Sequence, residues 1–263
     1  MSGEWKVGKY HGEGVYTWSC GKRYVGEWKE GKYHGKGVMT WPDGRRYKGE
    51  WRNGKREGKG TYRWLESGKK FFYKGEWKDD CRSGKGVYAS ESGAKQSGEW
   101  RNGVAHGKGM KVWPSGNSYS GDWVDGKAEG KGTFTWVNNN KYEGQWRSGK
   151  PNGIGTYHYS DGSRYEGEFR HGKRHGKGKY FWQDDETYEG DFHQGDQEGT
   201  GKYTWSNGNV YIGECKDGEC HGKGTFITTQ GDRIYGWWNE SELMVQLDEP
   251  TVAEALPGGP ITD

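Results

Sequence analysis

The sequence is poor in aliphatic side chains. Leucine, isoleucine, valine and phenylalanine make up 28 of 263 residues. A fraction this low, under about 20%, usually accompanies disorder when the net charge is also large. The net charge here is only +3, so disorder is not the expected outcome. A two-layer globule with an aliphatic core is not expected either, and any core must be built from other side chains.

Long apolar runs and a cysteine framework are also missing. No stretch approaches the roughly 20 apolar residues of a membrane-spanning helix. Met1 leads directly into a repeated segment rather than a signal peptide, which favours a cytoplasmic and cytoskeletal location. The cysteines are too few and too scattered for a disulfide scaffold; they are Cys20, Cys81, Cys215 and Cys220. Cys215 and Cys220 are predicted to face each other across a hairpin, with free thiols favoured over a disulfide in a reducing compartment.

What the chain has in abundance is glycine (50), tryptophan (16) and tyrosine (18), arranged in a repeat. One column of the repeat advances by 23 residues at each step, except for a step of 26 after Trp51. Its members are Trp5, Trp28, Trp51, Trp77, Trp100, Trp123, Trp146, Phe169, Phe192, Cys215 and Trp238. A fixed period of this length indicates a stacked array of repeats.

One repeat can be folded from its spacing. Glu30-Gly31 lies between two short alternating runs and suits a two-residue hairpin turn. Closing that turn pairs Trp28 with Tyr33, Gly26 with Gly35, and Tyr24 with Gly37. Glu27 then lies across from His34, and Val25 across from Lys36. Residues two apart share a face, so one face is aromatic and the other is mainly polar.

A second turn joins one repeat to the next. The loop between Trp41 and Tyr47 must hold an odd number of residues, three or five, to keep Tyr47 on the aromatic face. Gly44 is predicted to be left-handed. The same count pairs Trp41 with Tyr47 and Gly37 with Trp51.

The stretch Tyr24–Gly37 and its copies resemble the MORN (membrane occupation and recognition nexus) repeat, over about residues 2–238. The fold class expected is all-β: an elongated single-layer antiparallel β-meander of about ten 23-residue hairpins with a short C-terminal capping helix. We divide the chain into a repeat array, residues 1–238, and a cap or tail, residues 239–263. The array contains an irregular repeat with an insertion near residues 65–96. That repeat is either a kink or contact point, or a tolerated loop insertion.

The sequence contains no recognisable catalytic constellation, cofactor motif or metal-ligand cluster. Five of the eight histidines share one repeat column with Glu, Ser and Asn, which is typical of a structural position rather than of a general base; they are His11, His34, His106, His175 and His221. The chain is therefore predicted not to be an enzyme. The candidate partner-binding residues are aromatic; they are Tyr24, Trp28, Trp41, Tyr47, Trp51, Trp64, Trp100, Trp113, Trp123, Trp136 and Trp146.

Three kinds of binding are compatible with this composition. The first is a scaffold that holds other proteins, because tryptophan, tyrosine and arginine are common anchors of protein contacts. The second is weak contact with anionic lipid through the basic N-terminal third, since residues 1–70 contain 17 Lys/Arg and 8 Asp/Glu. The third is single-stranded nucleic acid, which the 17 Asp/Glu and 4 Lys/Arg of residues 184–263 disfavour. We predict protein partners and no nucleic acid.

The resemblance also implies a cellular location. Free-standing MORN arrays are components of motile cilia and flagella, such as radial-spoke heads, and of cytoskeletal scaffolds. The resemblance therefore implies a structural part of an axoneme or a related assembly. The alternative function is a peripheral adaptor on anionic phospholipid.

Overall fold

In a computed structural model, residues 2–248 are described, and the chain divides into two compact units, Met1–Lys150 and Pro151–Asp263. All regular structure in residues 2–248 is β-strand, which confirms the all-β prediction. The predicted C-terminal helix falls on residues 249–263, outside the described part. None of the elements between residues 2 and 248 could cross a membrane as a helix.

The first unit holds thirteen strands. They are β1 Ser2–Lys6, β2 Lys9–Thr17, β3 Arg23–Lys29, β4 Lys32–Thr40, β5 Arg46–Arg52, β6 Lys55–Glu66, β7 Lys69–Lys78, β8 Cys81–Ser90, β9 Lys95–Arg101, β10 Val104–Val112, β11 Ser118–Val124, β12 Lys127–Thr135 and β13 Lys141–Arg147. Each strand pairs antiparallel with the next, so the predicted meander of hairpins is confirmed here.

The second unit continues the same pattern with nine strands, the first of which begins at the last residue of the first unit. They are β14 Lys150–His158, β15 Arg164–Arg170, β16 Lys173–Phe181, β17 Thr187–His193, β18 Asp196–Thr204, β19 Val210–Lys216, β20 Glu219–Ile227, β21 Arg233–Asn239 and β22 Glu242–Gln246. These strands also pair antiparallel in chain order. Strand β22 lies in the segment that the sequence analysis separated from the array.

The two-residue turns have the predicted conformation. Glu30 and Gly31 both have positive φ, 51° and 77°, which is the geometry of a type I′ hairpin turn. The turn places Trp28 opposite Tyr33, as predicted. Asn53 and Gly54 repeat the geometry, with φ of 52° and 86°.

The register beyond the turn differs from the prediction. Gly26 lies opposite Gly37 rather than Gly35, and Tyr24 lies opposite Met39 rather than Gly37. The predicted pair of Val25 with Lys36 was also wrong, because Val25 pairs with Val38. Glu27 lies at the break in register, opposite the segment that contains His34, and the equivalent pair of Glu4 with His11 is present in the first repeat.

A β-bulge causes this two-residue shift. The register breaks between Gly26 and Trp28, so three residues of β4 oppose Glu27 alone. Gly35 takes a φ of 51° at this point, which favours glycine. The Glu27 carboxylate accepts a hydrogen bond from the Lys36 backbone N–H at 2.7 Å and so fills the gap.

The loop between repeats has five residues, one of the two predicted lengths, but it is displaced along the chain. Thr40 pairs with Arg46 and Met39 with Tyr47. The predicted pairs of Trp41 with Tyr47 and of Gly37 with Trp51 were wrong, because the loop begins at Trp41 instead of Pro42, which moves the β4–β5 register by two residues. Gly44 has a φ of 85°, as predicted.

The three extra residues of the 26-residue step lengthen a hairpin. Strands β6 and β7 remain paired through Trp64 opposite Phe71 to Glu66 opposite Lys69. Ser67 then makes a tight turn, with a φ of 49°. The insertion therefore extends the antiparallel ladder at the position where other repeats have a five-residue loop.

The core lies on the aromatic face and consists of rings packed over bare backbone. A tyrosine from each regular repeat is almost fully buried, as at Tyr24, Tyr73 and Tyr142. Each hydroxyl donates a hydrogen bond to a backbone carbonyl three residues later, such as Tyr73 to Glu76 at 3.2 Å. Edge-to-face contacts join the rings, as between Tyr24 and Trp28, whose centroids are 5.1 Å apart.

These buried hydroxyls predict a loss of stability at high pH. Burial raises the pKa of Tyr73 and of Tyr142 from 10.0 to about 12, because the phenolate would lie away from water. The folded value exceeds the unfolded one, so this stabilisation is complete below pH ~10 and is lost as the pH rises from ~10 to ~12. Tyrosinate absorbance measured against pH should show that the buried tyrosines ionise in the same pH range in which the protein unfolds. A urea-unfolded sample should titrate near the ordinary value, and a melting temperature that is constant through this pH range would contradict the prediction.

Candidate functional site

The structure separates the candidate aromatics into two sets by burial. Seven of the eleven have exposed fractions between 0 and 6%; they are Tyr24, Trp28, Tyr47, Trp51, Trp100, Trp123 and Trp146. The indole N–H groups of the five tryptophans among them all donate to glycine carbonyls, that of Trp146 to Gly132 at 2.9 Å. In the isolated chain these side chains are core, and a partner cannot reach most of their surface.

The remaining four candidates form a second column that is only half-buried. They are Trp41, Trp64, Trp113 and Trp136, and Trp18 occupies the same position of the first repeat. We call these five tryptophans the aromatic ridge. Each ridge residue comes from a different repeat of the first unit, so the ridge crosses the strands.

Local turn chemistry fixes the ridge. Trp41 is the first residue of the five-residue loop, and its N–H donates to the Arg45 carbonyl at 2.9 Å. The Gly44 N–H donates back to the Trp41 carbonyl at 3.1 Å. The same pair of bonds holds Trp18 and Trp113. The backbone of every ridge residue except Trp64 is thus pinned where a strand ends; Trp64 lies within the lengthened strand β6.

Ring contacts hold the ridge side chains against the core. Trp136 packs on Phe134 with centroids 4.5 Å apart, and Phe134 in turn lies 6.2 Å from Trp146 of the core. Trp64 stacks on Phe71 at 5.5 Å with an interplanar angle of 13°. One side of each ridge ring is therefore fixed by packing while another side remains open to solvent.

Cations accompany three of the ridge rings. Lys22 Nζ lies 4.8 Å from the Trp18 centroid, and the Arg45 guanidinium lies 5.5 Å from that of Trp41. Lys111 Nζ lies 4.9 Å from the Trp113 centroid, and partial burial lowers the pKa of Lys111. Together, flat aromatic surface and positive charge suit a partner that presents apolar and acidic side chains. The sequence analysis missed these cations, although Lys22 and Arg45 follow ridge residues at the same spacing.

Arginine also replaces a partly buried aromatic ring that packs against the core. Arg56 and Arg82 take the position of Tyr33, and their guanidinium groups lie 4.2 Å from Trp77 and 5.1 Å from Trp100. Burial lowers the pKa of Arg82. The turn that pairs Trp28 with Tyr33 also pairs Trp51 with Arg56 and Trp77 with Arg82. The same sequence spacing could therefore have predicted both arginine–tryptophan contacts.

The second unit carries a matching column. Tyr159, Trp182 and Trp205 are half-buried and stand at the start of their loops, with the Trp182 N–H donating to the Glu186 carbonyl at 3.0 Å. Trp182 packs against Tyr203 with centroids 5.3 Å apart. This unit therefore repeats the arrangement of the aromatic ridge with fewer tryptophans.

The two buried cysteines take core positions. Cys215 lies directly opposite Cys220, as predicted, and both are free. Burial raises the pKa of Cys215 to about 11 and that of Cys220 to about 12, so both thiols are protonated at neutral pH. Within residues 2–248, no group of side chains has the arrangement of a metal site.

Comparison with protein families identifies the repeat. The family model described as the MORN repeat matches ten segments, which are residues 2–22, 24–45, 47–64, 73–95, 97–118, 119–141, 142–164, 165–187, 188–210 and 211–233. The chain belongs to the MORN-repeat family. No curated protein matches its sequence significantly. Membership indicates a structural or interaction module.

Solved structures also match this chain, at low TM-score and low sequence identity. One is the G-box domain of the microcephaly protein CPAP, with a TM-score of 0.34 and 8% identity, covering 87% of this chain and 100% of that one. Another is the TCP domain of Drosophila melanogaster SAS-4 in complex with a proline-rich motif of Ana2, with a TM-score of 0.29 and 8% identity over 85% and 88% of the two chains. The TCP10 domain of Danio rerio CPAP has a TM-score of 0.27 and 11% identity over 84% and 96%.

Proposed function

We propose that this MORN-repeat chain is a non-catalytic scaffold that binds other proteins within a cytoskeletal assembly, specifically a ciliary or flagellar axoneme. The repeat family supports the structural role. Its free-standing arrays resemble radial-spoke-head components, which supports the axonemal one. The partners are other proteins of the assembly.

The observation that carries this proposal is the aromatic ridge. A ring that served only the core would be buried. All five tryptophans of the aromatic ridge are instead half-buried, at the same position of their repeats. Half-exposed tryptophans on a rigid scaffold are suited to anchor contacts, because little conformational entropy is lost when a partner covers them. A protein segment that crosses several repeats can contact several such anchors at once.

The test is retention in the axoneme. The tagged chain and a Trp41→Ala/Trp136→Ala variant are expressed in ciliated cells, and detergent-extracted axonemes are assayed for the tag. Loss of one anchor tryptophan typically costs about 2 kcal/mol of binding free energy, which is about thirtyfold in affinity. We therefore expect the double variant to be largely lost from the axonemal fraction while the parent chain stays.

The matched control is Trp237→Ala, which removes a tryptophan that is 45% exposed and lies outside the ridge column. It should be retained like the parent, and circular dichroism should show that all three proteins fold. Full retention of a folded ridge variant would overturn the proposal. Release of the chain into a membrane fraction, reversed by salt, would favour the lipid-adaptor alternative instead.

A further inference from the structure

The polar face of the first unit contains a groove walled by lysines. The groove has a volume of about 790 Å³ and crosses the strands from Val25 of β3 to Lys85 of β8. It lies on the sheet face opposite the aromatic ridge, since neighbouring residues of a strand point to opposite faces. No step of the proposed scaffold function uses this groove.

Glycine forms the floor of the groove. Gly37, Gly49, Gly60 and Gly75 lie side by side on neighbouring strands, each paired with the next. Lysines rise on both sides of this floor: Lys48 and Lys74 lie in one row, and Lys36, Lys59 and Lys85 lie in the other. A ligand that lies across the strands can therefore approach the backbone between two walls.

The positive charges of the walls are not neutralised. Lys36, Lys48, Lys59, Lys74 and Lys85 are all exposed, and none of them forms an ion pair with a residue of the described part.

The acids beside them are held by the backbone. The Glu50 carboxylate accepts from the Lys59 N–H at 3.0 Å, and the Glu76 carboxylate from the Lys85 N–H at 3.2 Å. Five lysines against these two glutamates leave the lining with a net charge of +3.

The corresponding groove of the second unit shows that this excess is not a property of the repeat. That groove has a volume of about 670 Å³ and contains three lysines and two glutamates. Two of its lysines are paired, Lys177 with Asp191 at 2.7 Å and Lys179 with Glu189 at 3.0 Å. Unpaired positive charge is therefore a feature of the first unit's groove.

We propose that the lysine-walled groove binds an extended acidic segment of a partner protein. The six strands β3–β8 span five interstrand steps of about 4.8 Å, or about 24 Å, which matches about seven residues of extended chain. Carboxylates of such a segment would alternate between the two lysine rows. A narrow groove with charges on both walls fits a single polypeptide better than the flat surface of a bilayer.

The test uses a fluorescent seven-residue peptide rich in Glu and Asp. The groove variant Lys48→Glu/Lys59→Glu/Lys74→Glu is compared with Lys29→Glu/Lys78→Glu/Lys127→Glu, which makes the same change of charge at exposed turn-flanking positions outside the groove. Anisotropy should show binding by the parent that weakens with added salt. The groove variant should bind at least about tenfold more weakly, whereas the control should change by less than about threefold. Circular dichroism and thermal melting establish that each variant is folded.

Several outcomes would overturn this assignment. If peptide affinity falls equally in the groove variant and in the control variant, the peptide responds only to net charge. If the folded parent does not bind the peptide at all, the proposal is wrong. Flotation of the parent with phosphatidylserine vesicles, without peptide binding, would assign the groove to a lipid surface. The ridge variant Trp41→Ala/Trp136→Ala should keep peptide binding, so failure here and failure of the axonemal scaffold are distinguishable.

Discussion

Replacing Trp123 with alanine is expected to cost about 3–5 kcal/mol of unfolding free energy. The ring is 4% exposed and meets Tyr119 edge to face, with centroids 5.0 Å apart. Its indole N–H donates to the Gly109 carbonyl at 3.1 Å. The substitution removes the ring contacts and the hydrogen bond together, and the flanking backbone cannot collapse into the space. Urea denaturation followed by circular dichroism measures the loss.

Trp136→Ala provides the matched control for Trp123→Ala. It removes the same side chain from the half-buried ridge of a nearby repeat, so the cost should be less than half as large. In a repeat array each repeat contacts only its neighbours, and both losses should appear as early unfolding of a few strands. A cost below about 1 kcal/mol for Trp123 would mean that its ring is not part of the core.

The repeat pattern was sufficient to predict the class of fold and the tight turns. Glu30-Gly31 takes positive φ at two successive residues, a conformation that the glycine at the second position favours, and its place between two alternating runs located the turn. Trp28 and Tyr33 then had to face each other. The prediction extended correctly to later repeats because every hairpin uses the same turn.

The bulge could not be predicted by counting. A regular ladder from the Glu30-Gly31 turn keeps residues on the same face even when the register slips by two, so Gly35 and Gly37 were equivalent in that analysis. The deciding interaction is the Glu27 carboxylate with the Lys36 N–H at 2.7 Å, which is a contact between a side chain and a distant backbone group. The available signal was the glycine at position 35 itself, since the repeat has more glycines than close packing alone requires, and its φ of 51° accounts for this one.

The candidate site was predicted in residue type but not in exposure. Tyr24 and Trp41 both lie on the aromatic face, and alternation cannot distinguish them. Tyr24 is buried because rings from the next two strands cover it, at 4.5 Å from Tyr33 of β4 and 5.8 Å from Trp51 of β5. Trp41 stands where the strand ends, so fewer neighbours can reach it.

Gly60→Ala is expected to destabilise the fold by about 1–3 kcal/mol or more, because the added methyl overpacks the core. A Cβ at this position would lie 2.5 Å from Cζ of Tyr47. Tyr47 is 0% exposed and is enclosed by Trp51 and Trp77, with centroids 4.9 and 5.5 Å away. Since the ring has no room to move, the added methyl must displace backbone, and overpacking of this kind costs about 1–3 kcal/mol or more. Urea denaturation and the loss of near-ultraviolet circular dichroism from the packed rings measure the effect.

Gly14→Ala tests whether the tyrosine ring is the cause. Gly14 occupies the same column as Gly60, but its added Cβ would lie 3.3 Å from its nearest neighbours, which are the Gly3 Cα, the Ser2 carbonyl oxygen and Trp28 Cδ1. No tyrosine covers it there. Alanine also reduces the entropy of the unfolded chain, so the net change should stay within about 1 kcal/mol. If both substitutions cost the same, glycine in this column is required by the strand itself, and the account of rings lying over bare backbone is wrong.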